Sequence, residues 1–219
     1  EGYLDKKKLS KFFKRLKKNG GQLSYRKVQN SSKKVYEANI TLFNAFQKTD
    51  YDKRGKYFLE RYISAHAIMV AFEGIPAIYF NSIFGTSNDD YKYIISGNKR
   101  DLNRYKWNKK RLENLLKNKN AKQSIFYHKM MNLLSIKKQN KAFHPNAKRE
   151  NLNMGKKIFC FKRTSLDNSQ IIYNITNLSS KYLKLKYNNK FTTYKNLLGK
   201  TRSNSKIELK PFETLWLSN

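Results

Sequence analysis

The sequence predicts an α/β segment over residues 1–140 followed by a small antiparallel β domain over 141–219, most simply two packed sheets. Three observations predict this. Apolar residues recur at helical spacing as far as about residue 140, and past "AFHPNA" (142–147) the period changes to two. Between the helical stretches lies "GIPAIYF" (74–80), apolar on both faces, as a strand covered on both sides requires. This run reads as one stave of a barrel, yet the residues before it are too few for the repeated strand and helix units of a closed parallel barrel.

The elements follow in order. Residues 3–18 read as an amphipathic helix: Leu9, Phe12, Phe13 and Leu16 fall at i, i+3, i+4 and i+7, lysines fill the other face, Asp5 is the N-cap and Asn19-Gly20-Gly21 the stop. Such a helix needs a large surface to lie on. Residues 22–56 carry no sustained helical pattern, so a functional loop over 20–56 is expected, with short strands at 22–26 and 40–46. A second helix over 57–72 becomes almost wholly apolar from Ala65 to Phe72, as a buried helix should. After the stave come a polar loop with Asn88, Asp89 and Asp90, a short helix on Leu112, Leu115 and Leu116, and a longer one over 121–140. Strands are then expected at 157–163, 170–176, 182–187, 191–198, 206–210 and 213–218; Leu183 and Leu185 face one way, Lys184 and Lys186 the other.

The 219 residues suffice for one large or two modest domains. No run of eighteen apolar residues or signal-like start is visible, so no membrane is expected. The single Cys160 forms no internal disulfide, which fits a reducing compartment; a cytoplasmic location is the expectation. The chain opens on Glu1, without an initiator Met, and is read as part of a longer protein.

A net charge of +32, from 47 basic and 15 acidic residues, invites a basic nucleic-acid-binding protein as one alternative. The lysines are scattered through every segment, and neither zinc-finger spacing nor an RNA-recognition signature occurs. Abundant Lys, Asn, Ile, Tyr and Phe also match adenine- and thymine-rich codons, so only nonspecific nucleic-acid binding is expected. His66, His128 and His144 share no metal-ligand spacing and read as structural; no metal site and no cofactor motif is found. Asp89 and Asp90 read as a solvated loop, and Asp50 and Asp52 as charge balance in a lysine-rich turn.

The order of pieces carries a resemblance. The basic helix, "GGQLSYRK…KVYEANITLFNAF", "GIPAIYFNSIFG", "GNKRDLNRYKW", "NKAFHPNA" and the closing "FETLWL" resemble, nearly end to end, the C-terminal part of sucrose phosphorylase and its close relatives in the α-amylase superfamily. The resemblance implies the C-terminal part of a (β/α)8 TIM barrel, the last strand with its flanking helices, followed by an antiparallel β-sandwich domain. It implies a retaining glucosyl transfer from an α-glucoside to inorganic phosphate, giving α-glucose 1-phosphate and an alcohol, without metal or organic cofactor.

Such transfer uses two carboxyl groups about 5–5.5 Å apart, and the family adds a third, an Asp at the end of the seventh strand. By the resemblance all three lie before Glu1, so no catalytic residue is assigned and the chain alone is expected to be inactive. Its implied equipment is for binding: Arg100 beside the glucosyl unit, Tyr36 toward phosphate and Glu37 toward the leaving alcohol. Glu37 stands where sucrose phosphorylase has Gln, and Lys34 where it has Asp. An amide lost and a charge reversed point to anionic acceptors, as in phosphorylases of glucosylglycerate or sucrose phosphate. An N-terminal partner supplying the missing staves, in a split enzyme, and a degenerate remnant are the other readings.

Overall fold

The computed structural model describes residues 5–27, 33–186, 194–199 and 206–219. In chain order the elements are α1 (Lys6–Lys18), β1 (Gln22–Lys27), β2 (Lys33–Asn39), α2 (Leu42–Gln47), α3 (Phe58–Ala71), α4 (Phe80–Ile83), α5 (Asp90–Ser96), α6 (Lys109–Lys117), α7 (Lys122–Gln139), β3 (Lys148–Leu152), β4 (Ile158–Thr164), β5 (Ile171–Asn177), β6 (Leu183–Lys186), β7 (Lys195–Asn196), β8 (Lys206–Leu209) and β9 (Thr214–Ser218). One-turn 3-10 helices occupy Lys99–Asn103 and Lys141–Phe143. They form two compact units, each discontinuous in sequence: Glu1–Gly55 with Ile78–Tyr127, and Lys56–Ala77 with His128–Asn219.

In the first unit, the Asp5 side chain caps α1 by accepting from the Lys8 N–H at 2.7 Å. The helix stops where Gly20 enters the left-handed region at φ 88°, and where a Cβ on Gly21 would sit 2.9 Å from the Leu16 carbonyl. Only Leu16 of the apolar stripe is buried; Leu9 is 36% and Phe12 49% exposed. The segment read as a loop is an antiparallel hairpin, β1 with β2, followed by α2. The strand expected over 40–46 is a helix, because Thr41 accepts from the Asn44 N–H at 3.2 Å and so caps a turn that buries Phe43. A half-buried polar cluster holds the base of the hairpin. Asn88 accepts from the Thr41 N–H at 2.9 Å, donates to the Gly20 carbonyl at 3.1 Å, and gives its own N–H to Asn44 at 3.0 Å.

The stave is where the structure departs most from expectation. Residues 75–79 are irregular chain and pair with no strand among the described residues. Ile75 is 85% exposed and Tyr79 and Phe80 each 53%, so the run is not covered on both faces. A strand is defined by the backbone beside it, and here no neighbour supplies donors or acceptors; Pro76 removes one N–H as well.

The second unit carries a five-stranded antiparallel sheet in the order β3-β4-β5-β9-β7 and a two-stranded sheet, β6 with β8. The inner faces meet in one cluster: Cys160, Tyr173, Ile175, Leu215 and Leu217 of the larger sheet with Leu183, Leu185, Ile207 and Leu209 of the smaller. The outward Lys184 is exposed, as the alternation requires. β3, absent from the expected strands, pairs along its whole length with β4; its "KRENL" is mostly polar because it is an edge strand of which only Leu152 packs against the core. The part of the expected strand 191–198 before Tyr194 lies outside the described residues, as do Tyr3 and Leu4 of the first helix.

Arg163 is fully buried in this unit. It donates to the carbonyls of Ala71 at 2.7 Å, His144 at 2.6 Å and Ala147 at 3.1 Å, so one guanidinium closes the C-terminus of α3 and the turn before β3. Trp216, also fully buried, gives its indole N–H to Asn174 at 3.0 Å and packs at a tilt of 60° against Phe143, with ring centroids 4.7 Å apart. His66 is buried on α3 with Nδ1 2.8 Å from the Tyr62 carbonyl, and burial holds its pKa below the usual imidazole value. Burial also pushes the Cys160 thiol up to about 12. No helix is long and apolar enough to cross a membrane, and no group of three metal-ligating side chains occurs among the described residues.

Candidate functional site

Three of the four residues singled out in the sequence meet in the first unit, and the register of the hairpin explains how. Ser24 is opposite Glu37 and Tyr25 opposite Val35, which leaves Tyr36 as the extra residue of a β-bulge. In a regular strand Tyr36 and Glu37 would point to opposite faces; a bulge breaks that alternation. Both then reach Arg100.

Arg100 sits on the 3-10 turn Lys99–Asn103, whose start is capped by Asn98 accepting from the Arg100 N–H at 3.1 Å. Lys99 ties this turn to the hairpin by donating from Nζ to the Leu23 carbonyl at 2.8 Å. Asp101, the neighbour that could have taken Arg100, is instead paired with Lys92 of α5 at 3.0 Å, and hydrogen bonds from Ser96 and Lys92 hold its carboxyl below the usual range. Arg100 is therefore turned to the hairpin. Its Nε donates to both oxygens of Glu37, at 3.2 and 3.1 Å. Glu37, and after it Tyr36, favour the guanidinium charge and raise its pKa. With side-chain exposures of 48% and 31%, the pair is wet and contributes little to stability; what it fixes is position.

Lys34 does not join this contact. It lies exposed, directly across from Arg26, and forms no ion pair among the described residues. The next pair outward is Lys27 opposite Lys33, so the end of the hairpin away from its base sets four basic residues in two like-charge pairs. Such pairs repel unless an anion lies between or beside them.

Several of the remaining acids have structural partners. Asp89 caps α5 by accepting from the Lys92 N–H at 3.0 Å, and Asp50 is bonded to Arg15. A cavity of about 380 Å³ in the second unit is lined in part by Glu60 and Glu213, but Glu60 is exposed and Glu213 accepts from the Lys210 N–H of its own turn at 2.7 Å. That pair is not poised as acid and nucleophile. Sequence reasoning did not single out Asn98 or Lys99. The Asn two places before Arg100 is a turn-capping signal that a closer reading of "GNKRD" contains; the reach of Lys99 to Leu23 has no local signal.

The fold has counterparts among solved structures, at identities that speak for the fold alone. A trehalulose synthase, MutB from Pseudomonas mesoacidophila MX-45, matches with a TM-score of 0.51 at 10% identity over 73% of this chain and 38% of its own. AmyP, solved with maltotriose, matches with a TM-score of 0.58 at 16% identity over 74% of this chain and 35% of its own. Both are α-amylase-family enzymes. Curated relatives narrow the likeness to glucosylglycerate phosphorylases. That of Escherichia coli K12 is 22% identical over 219 residues, 99% of this chain and 38% of that enzyme. That of Allomeiothermus silvanus is 28% identical over 146 residues, 67% of this chain and 26% of that enzyme. No family model matches. The chain thus resembles the sucrose phosphorylase-like enzymes of the α-amylase superfamily, over their C-terminal portion, and spans less than two fifths of the length of the relatives it matches.

Proposed function

We propose that the chain is the C-terminal portion of a retaining glucosyl phosphorylase, and that it provides the wall that binds sugar and acceptor. The catalytic carboxylates come from the portion of the fold that the matched region does not include. The observation that carries this reading is the bulge that brings Tyr36 and Glu37 together on Arg100 in a chain similar over 99% of its length to a glucosylglycerate phosphorylase. A guanidinium already oriented by a carboxylate presents planar donors suited to paired sugar hydroxyls.

The acceptor is proposed to be anionic, glycerate in preference to plain fructose. The two like-charge pairs at the end of the hairpin away from its base, Arg26 with Lys34 and Lys27 with Lys33, favour a bound anion, and inorganic phosphate is drawn by the same field. The remaining portion of the barrel, as a separate chain or joined to this one, is the proposed cover for the apolar stripe of α1, where Leu9 and Phe12 are 36% and 49% exposed. Residues 75–79 would gain their strand partners from the same portion. The cytoplasm is the proposed compartment.

Phosphate-dependent release of glucose 1-phosphate from glucosylglycerate and from sucrose tests the reading. The chain alone is expected to give no turnover. Adding the N-terminal portion of a glucosylglycerate phosphorylase in trans is expected to restore turnover on glucosylglycerate, and Arg100→Ala to abolish it. Turnover by the chain alone would show that it holds its own acids and would overturn the proposal.

A further inference from the structure

The cavity of about 380 Å³ in the second unit is open to solvent on one side, and its walls are mostly apolar: Leu59, Ile63 and Ala67 of α3, Leu133 of α7, Leu198 just after β7 and Phe212 between β8 and β9. Asn196 also lines it and is 8% exposed. Its Oδ1 accepts from the Leu198 N–H at 3.2 Å and from the Trp216 N–H at 3.3 Å. Those two bonds settle which end of the amide is the oxygen, so Nδ2 is the end left to donate. It makes no hydrogen bond among the described residues, and it is not one of the polar atoms sealed in the interior. A Cβ built on Gly199, another lining residue, would stand 3.5 Å from this Nδ2 and, beyond its neighbours in the chain, within 4 Å of no other described atom. The approach to the donor is therefore open where glycine leaves the wall without a side chain.

The other polar side chains of the lining are engaged or exposed. Ser64 donates to the Arg61 carbonyl at 3.1 Å, the Thr214 hydroxyl pairs with that of Thr176 at 2.9 Å, and Asn132 is exposed. Charge is balanced, Lys129 and Lys210 against Glu60 and Glu213. The first three of these are exposed with Glu60 on the rim, and Glu213 accepts from the Lys210 N–H at 2.7 Å, so a charged ligand gains little here. What remains is hydrocarbon and one donor. Water on that donor seeks about three partners and meets apolar walls, so a molecule that carries its acceptor on an apolar body replaces it favourably. We propose that this cavity binds a small neutral apolar molecule with a single carbonyl acceptor, of the class of ketones and esters. The carbonyl oxygen accepts from Asn196 Nδ2, and the hydrocarbon lies on Ile63, Leu133, Leu198 and Phe212. The inference stands independently of the proposed phosphorylase role.

Acetophenone is the probe for the full chain by NMR titration, with ethylbenzene as a hydrocarbon of similar size without an acceptor and benzylamine as a cation. Saturable binding of acetophenone, about tenfold tighter than that of ethylbenzene and accompanied by a shift of the Asn196 side-chain amide resonance, is the expected result. Asn196→Asp keeps the oxygen that accepts from Leu198 and Trp216 but removes the donor, and should bring acetophenone to the level of ethylbenzene. Gly199→Leu places a side chain in front of Nδ2 and should block both probes. Should Asn196→Asp fail to fold, Gly199→Leu together with the amide shift carries the test. Equal binding of acetophenone and ethylbenzene, preference for benzylamine, no saturable binding of acetophenone, or acetophenone binding that Gly199→Leu leaves unchanged would each overturn the assignment.

Discussion

The hairpin region and the sandwich use the same charged residue type in opposite ways. Arg100 is about half exposed, held by one carboxylate, and surrounded by elements that bury little; Arg163 is fully buried and spends its donors on three backbone carbonyls. The first arrangement tolerates exchange of partners, since water and ligand hydroxyls compete on equal terms with Glu37. The second does not, because no water waits to replace the lost donors. The proposed binding contact sits where the cost of rearrangement is low, and architecture where it is high.

This contrast can be broken by substitution. Arg163→Met should cost the most, about 3 kcal/mol or more, since it leaves the buried carbonyls of Ala71 and Ala147 without a donor, while that of His144 keeps the Ala147 N–H; denaturant unfolding followed by tryptophan fluorescence reads it. An equally stable variant would mean that the carbonyls find other partners. Ile175→Val, a single methylene lost from the closed core of the two sheets, should cost about 1 kcal/mol in the same assay. The third test is a pH profile. His66 is held neutral by burial, with a folded pKa below the usual imidazole value, so the unfolded chain takes up a proton first as pH falls. Stability is fully present above about pH 6.5 and declines below it toward the folded pKa, and His66→Gln should remove that part of the decline. The smallest effect is expected for Glu37→Gln, which should leave the unfolding midpoint unchanged within error while altering acceptor preference in the reconstituted enzyme. A large loss of stability there would make the Arg100 contact architectural, and the distinction between the two arginines would fail.

The periodicities carried far. α1, α3, α6 and α7 lie within a few residues of the spans read from apolar spacing, and β4, β5, β6, β8 and β9 follow from alternation, because both patterns are written in neighbouring residues. α2 was misread as a strand because its six residues are too short for periodicity, and the Thr41 cap is the better signal. β3 escaped because an edge strand needs no apolar face. Tyr36, Glu37 and Arg100 were singled out through resemblance; no local pattern joins residues 63 positions apart.

By itself the sequence determined which segments are helical and where the chain passes to antiparallel sheet. The tertiary structure decided that a bulge turns Tyr36 and Glu37 toward one side, that Asp101 goes to Lys92 and leaves Arg100 to the hairpin, and that Arg163 is interior. The physical reason is range. Propensity and periodicity act over a turn or a few residues, whereas the partner of a charge depends on strand register and on which neighbours have already claimed the competing groups.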